Sequence, residues 1–160
     1  MKNIFLLVAI SFSIAIHAQV TKVSLQASGL TCSMCSNAIN KALKTLDFVD
    51  RVHPDIKTYT FEITFKESSH VDFDLIKRKV EGAGFFVSGF VATIVFNNVQ
   101  IRKDQPISVE DKTFYFINTN DQVLHGVKQI KVLDKGFVSP KEYKKSAFPD
   151  TGPDSYHATL

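Results

Sequence analysis

The sequence predicts an α+β protein, in which a ferredoxin-like βαββαβ domain is followed by a small β-rich domain. Two observations support this fold class. Residues 19–89 contain segments of strand and helix periodicity in the order strand, helix, strand, strand, helix, strand. Residues 90–160 instead contain strand-like segments separated by turns rich in Asn and Asp. We therefore expect domains at 19–89 and 90–145, preceded by a targeting segment and followed by a flexible tail at 146–160.

The first eighteen residues have the pattern of a secretory signal peptide. Lys2 precedes an apolar run from Ile4 to Ile16, which His17 and Ala18 follow. The alternative is a membrane anchor, but the run is shorter than the roughly 20 residues that span a bilayer. We predict cleavage after Ala18 and a periplasmic or secreted mature protein without a further membrane span.

The first half of the ferredoxin-like domain follows from two periodicities. Apolar residues at every second position from Val23 to Ala27 predict a half-buried strand. Apolar residues at three-to-four spacing from Ala38 to Leu46 predict an amphipathic helix. Further strands are expected at 48–52 and, from a clear alternation, at 59–65.

The second helix has recognisable ends. Asp72 is the predicted N-cap, and Gly82 and Gly84 are predicted to end the helix. Phe85 then opens the fourth strand, which completes the split βαβ order with an antiparallel sheet backed by two helices.

The C-terminal region is predicted to form its own small β domain, of the partial-barrel type seen in oligonucleotide-binding folds. Strands are expected at 90–96, 114–117 and 127–133. Ser139 and Pro140 have the types expected at the start of a helix, predicted here over 140–145.

Composition and motifs exclude several classes of function. The formal charge is +3, with basic and acidic residues mixed along the chain, so neither nucleic acid nor an anionic membrane is indicated as a partner. The sequence contains no nucleophile-elbow motif and no phosphate-binding glycine loop. We therefore expect a protein that is not an enzyme.

The chain contains only two cysteines, Cys32 and Cys35, in a C-x-x-C spacing directly before the first predicted helix. Their disulfide would close so small a loop that it would add little stability. A helix N-terminus favours the thiolate form. The pair therefore indicates either a soft-metal site or a redox-active dithiol. Two thiolates suit Cu(I) or Hg(II), whereas Zn(II) requires four ligands.

The segment Gly29-Leu30-Thr31-Cys32-Ser33-Met34-Cys35 resembles the G-M-T-C-x-x-C motif of heavy-metal-associated domains. Those domains occur in copper chaperones, copper-exporting ATPases and the periplasmic mercuric-ion-binding protein. The resemblance covers about residues 20–88 and includes Ala83-Gly84-Phe85, similar to the family's A-G-[FY] turn. It implies that Cys32 and Cys35 bind the metal, that Phe85 shields the site, and that Leu30, in place of the usual methionine, anchors the loop.

Other candidate residues have simpler interpretations. Met34 is expected to point to solvent rather than act as a thioether ligand. His53 and His70 are interpreted as surface residues, and His125 lies in the C-terminal region without an assigned role. His157 is interpreted as an exposed tail residue rather than as a further metal ligand brought in by the tail. The ring cluster of Phe114, Tyr115 and Phe116 is expected in the core rather than as a stacking platform.

Together these features predict an exported Cu(I) carrier or scavenger, with Ag(I) or Hg(II) as alternative ions and Zn(II) less favoured. Its expected partner is a metal-transporting or envelope protein. A thiol–disulfide oxidoreductase is the first alternative, although Thr31 and the Ser33-Met34 pair differ from the thioredoxin-type motif. The second alternative is an envelope interaction module whose thiols are incidental.

Overall fold

The computed structural model describes residues 18–102, 105–145, 148–149 and 151–160. Apart from Ala18, the predicted signal peptide lies outside these residues. The strands are β1 (Gln19–Ser28), β2 (Val49–Asp55), β3 (Thr60–Phe65), β4 (Phe86–Ile101), β5 (Ile107–Val109), β6 (Lys112–Phe116), β7 (Gln122–Val132) and β8 (Ser155–Thr159). The helices are α1 (Ser33–Leu43), α2 (Phe73–Gly82) and α3 (Pro140–Tyr143).

The N-terminal half has the predicted ferredoxin-like arrangement. Its four strands lie in the order β2-β3-β1-β4 and all neighbours are antiparallel. In the centre of this sheet, Leu25 pairs with Phe61 on one side and with Phe90 on the other, and all three side chains are buried. The alternation of β1 therefore places its apolar face in the core, as the sequence predicts.

Helix α2 begins and ends where the sequence predicts. The Asp72 carboxylate accepts a hydrogen bond from the backbone N–H of Leu75 at 2.7 Å, which satisfies one of the free donors of the first turn. The chain leaves the helix through Gly84, whose φ of +89° suits glycine. The helix buries Phe73, Ile76 and Val80 against the sheet.

Strand β4 joins the two halves of the molecule. It is 16 residues long, pairs with β1 over Phe86–Val95 and pairs with β7 over Val91–Ile101. The predicted domain boundary between residues 89 and 90 therefore falls inside a strand. The complete sheet has eight strands in the order β2-β3-β1-β4-β7-β8-β6-β5. In the described residues the C-terminal strands thus extend this open sheet, and the prediction of a separate partial barrel is wrong.

The prediction of a flexible tail at 146–160 is wrong for residues 155–159. These residues form β8, which lies parallel to β6 and antiparallel to the end of β7. Tyr156 and Ala158 are buried. The sequence did not predict this short strand for two reasons. Turn-forming residues precede it, and its stability comes from pairing with strands that are distant in the chain.

A cluster of buried aromatic rings, here called the aromatic junction, connects the two halves. Phe73 of α2 lies at its centre, with ring centroids 4.9 Å from Phe90 and 5.3 Å from Tyr156. The Tyr156 hydroxyl also donates to Asp74 Oδ2 at 3.0 Å, and burial raises the pKa of this tyrosine. The junction consists of Phe73, Phe90, Phe114, Phe137 and Tyr156.

None of the helices in the described part of the chain combines the length and the hydropathy required to cross a membrane.

Candidate metal centre

The loop between β1 and α1, together with the first turn of α1, carries the two thiols. Gly29 has a φ of +89°, a left-handed conformation that lets the chain turn away from β1 at low cost. The next residue, Leu30, is 9% exposed and belongs to the core cluster. The loop is therefore fixed at its base, which agrees with the anchoring role expected for Leu30.

The structure brings the two sulfur atoms together. Cys32 is the N-cap of α1 with an extended backbone, and Cys35 lies in the first turn. The Cys35 N–H donates to the Cys32 carbonyl at 3.1 Å, and this turn places the two Sγ atoms 3.1 Å apart. That separation exceeds the roughly 2.05 Å of a disulfide, and both cysteines are free. Cys32 is exposed and Cys35 is half-buried.

The local hydrogen bonds favour a negatively charged sulfur at Cys35. They lower the pKa of its thiol from 9.0 to about 7; the largest effect comes from the Thr31 backbone and the next from the Cys32 side chain. The first turn of α1 contains no acidic residue that would oppose the thiolate. The lowered pKa favours the Cys35 thiolate near neutral pH, and a thiolate is the form that binds metals.

The immediate surroundings of the thiols are open. Met34 is 80% exposed, as predicted for a residue that points to solvent. Phe86 is 66% exposed and pairs across the strands with Ser28, directly before the loop. Phe85 is partly buried and packs against the core. Its role as a shield of the thiols stays a prediction.

The histidines divide into two groups. His53 and His70 are exposed, as predicted, and His125 is exposed as well. His157 is 5% exposed, so its assignment to an exposed tail is wrong. Its Nδ1 atom lies 2.8 Å from Asp134 Oδ1. Sequence reasoning missed this pair because the partners are far apart in the chain and meet only when β8 joins the sheet.

Among the described residues, no group of three or more His, Cys, Asp or Glu side chains is placed to hold a metal ion. Cys32 and Cys35 are thus a two-residue donor set within this part of the chain. Of the predicted core cluster, Phe114 and Phe116 are buried, which confirms the prediction for these two rings, whereas Tyr115 is half-buried.

With this geometry established, comparison with known proteins identifies the segment. Residues 24–86 match the model of the heavy-metal-associated domain. This segment is a heavy-metal-associated domain. The match begins within β1, ends at the start of β4 and includes the complete thiol loop. The resemblance deduced from the motif is therefore confirmed.

Relatives of the domain occur in proteins of copper transport. The chain is 36% identical over 64 residues to a probable copper-exporting P-type ATPase of Archaeoglobus fulgidus. That alignment covers 40% of the chain but spans only 8% of the length of the ATPase.

Among solved structures, the chain is 31% identical in sequence to a yeast copper transporter domain whose structure is known in apo and Cu(I)-loaded states. The alignment includes 42% of this chain and 90% of that domain, and the TM-score is 0.37. The chain is 24% identical in sequence to apo-CopP from Helicobacter pylori. That alignment includes 41% of this chain and 97% of CopP, and the TM-score is 0.35.

Proposed function

We propose that this protein is an exported carrier or scavenger of Cu(I), that Cys32 and Cys35 are the ligands of the ion, and that it is not an enzyme. The observation that carries the proposal is the pair of free sulfur atoms 3.1 Å apart on an anchored, exposed loop of a heavy-metal-associated domain. The periplasmic or secreted location is proposed from the signal-like pattern of residues 1–18.

Three features favour Cu(I) as the cargo. Thiolates are soft ligands that select soft ions, and the pKa of Cys35 near 7 supplies a thiolate under physiological conditions. Two sulfurs satisfy Cu(I), whereas Zn(II) sites in proteins use four ligands. The domain is also related in sequence to a probable copper-exporting ATPase. Ag(I) and Hg(II) share this preference for sulfur and are alternative cargoes.

Exposure of the loop suits transfer rather than storage. Cys32 is exposed, so an incoming thiolate of a partner can approach the ion while this protein still holds it. A closed cage of four ligands would retain the metal more firmly but release it more slowly. We propose a metal-transporting or envelope protein as the partner that receives or supplies the ion.

An anaerobic Cu(I) titration of the reduced chain 19–160 against a competing Cu(I) chelator tests this function. We expect one tightly bound equivalent, which is lost when the cysteines are oxidised beforehand. Cys32→Ser should weaken binding by more than about 100-fold, because even partners outside the ligand set contribute 10–100-fold to metal affinity. Met34→Leu is the matched control, since this exposed side chain is not expected to ligate.

The results distinguish the proposal from its alternatives. Tight binding that survives Cys32→Ser would show that the ligand assignment is wrong. If the reduced wild-type chain fails to compete with the chelator, metal carriage is rejected and the reduction potential of the dithiol becomes the relevant quantity.

A further inference from the structure

The predicted maturation of this chain makes Gln19 its first residue. The signal-like pattern ends at Ala18, and cleavage there releases the α-amino group of Gln19. An α-amino group has an ordinary pKa of about 8, so a neutral, nucleophilic fraction is present at physiological pH. The side chain of the same residue ends in an amide, whose carbon Cδ closes a five-membered ring when it bonds to the α-nitrogen. Cleavage after Ala18 therefore places a nucleophile and its electrophile in one residue.

Gln19 lies at the end of a central strand, outside the core. It is the first residue of β1, and its side chain is exposed. On one side of β1, Gln19 pairs with Val95 of β4. On the other side, the pairing with β3 covers only residues 22–26 of β1. Only one neighbouring strand therefore holds the backbone of Gln19, and its exposed side chain can fold back onto its own α-amino group.

The residues that follow Gln19 are held firmly. Val20 is 3% exposed and pairs with Ile94 of β4, which is buried as well. The Thr21 hydroxyl donates to the Thr93 carbonyl oxygen at 3.2 Å. An aminopeptidase that removed Gln19 and then Val20 would take a buried side chain out of the core. The folded protein thus has a reactive first residue directly before a residue that the sheet requires.

We propose that Gln19 of the mature protein is converted to pyroglutamate. The α-nitrogen forms a bond to Cδ, the bond between Cδ and the side-chain nitrogen breaks, and that nitrogen takes a proton from the α-amino group and leaves as ammonia. The reaction consumes no oxidant, reductant or second substrate.

The product changes the start of β1 in two ways. The lactam is neutral, so the positive charge of the N-terminus is removed, but one N–H remains as a hydrogen-bond donor. The free α-amine at which aminopeptidases begin is also lost, which protects Val20. The proposal rests on the exported location proposed above and does not depend on Cu(I) carriage.

Intact-mass spectrometry of the exported protein tests the proposal. The full chain 1–160 is expressed in an exporting bacterial host, and the processed protein is incubated at neutral pH until its mass no longer changes. We expect the mass of residues 19–160 less one molecule of ammonia. Trypsin cleaves after Lys22, so the peptide of residues 19–22 should carry the whole loss.

Gln19→Asn is the matched control. Asparagine keeps the terminal amide but is one methylene shorter, so the same attack would close a strained four-membered ring. This variant should be cleaved after Ala18, keep its ammonia and retain a free α-amine that reacts with an amine-specific label. The double variant Cys32→Ser/Cys35→Ser should lose ammonia as the wild type does, because the thiols take no part in the reaction.

The proposal is overturned if the exported protein begins at Gln19 but keeps its ammonia, if it begins at any other residue, or if Gln19→Asn shows the same loss. The intact mass distinguishes the first two outcomes, since the first contradicts cyclisation and the second contradicts the predicted cleavage. Failure of Cu(I) binding in the chelator titration would leave the expected mass unchanged.

Discussion

The thiol loop and the aromatic junction differ in how they are built. The loop is made by seven consecutive residues, Gly29 to Cys35, and its two sulfurs are exposed or half-buried. The junction combines α2, β4, β6 and β8 with the segment that holds Phe137, and all its rings are buried. Function is thus expected to depend on local geometry, whereas stability depends on contacts between residues far apart in sequence.

The largest expected effect is a loss of stability that distinguishes the aromatic junction from the thiol loop. Phe73→Ala removes the ring at the centre of the aromatic junction and should lower the free energy of unfolding by about 3–5 kcal/mol. Urea denaturation measures this loss. Met34→Ala, at an exposed site in the thiol loop, should change stability by less than about 0.5 kcal/mol. Equal losses in the two variants would contradict the comparison.

The second prediction concerns the charge of the thiol loop. The folded-state pKa of Cys35 is depressed from 9.0 to about 7, so its thiolate dominates above pH 7 and is lost as the pH falls below it. Between pH 8 and pH 6 the alkylation rate of Cys35 should fall about tenfold. Mass spectrometry of the alkylated chain gives the rate, and the urea-unfolded chain is the control. A folded midpoint near that of the unfolded chain would show that the loop does not stabilise the thiolate.

The third prediction concerns the start of α2, outside both regions, where a smaller loss of stability is expected than in the aromatic junction. Asp72→Ala removes the carboxylate that accepts from the Leu75 N–H and should cost about 1 kcal/mol of stability. Asp72→Asn, which keeps an acceptor oxygen, should recover most of this loss in the same urea experiment. A full loss in both variants would assign the effect to charge, since Arg78 lies 3.6 Å from this carboxylate.

Sequence was a reliable guide where the signal is local. The alternation in β1, the Asp72 cap and the C-x-x-C loop each depend on neighbouring residues, and each was predicted. Strand β8 was missed because its partners are β6 and the end of β7, and no nearby residue encodes that pairing. The His157–Asp134 contact was missed for the same reason, since it exists only after β8 has joined the sheet.

Strand β4 has a consequence for aggregation. In a sheet that ended at β4, the outer side of that strand would present unpaired N–H and C=O groups, a template on which other chains can add. Here β7 pairs with β4 from Val91 to Ile101 and covers that edge. A fragment cut after residue 89 would shorten the strand, remove this cover and leave Phe73 without its ring partners. The C-terminal extension therefore turns an edge strand of the heavy-metal-associated domain into an interior strand, and the edges of the complete sheet are β2 and β5.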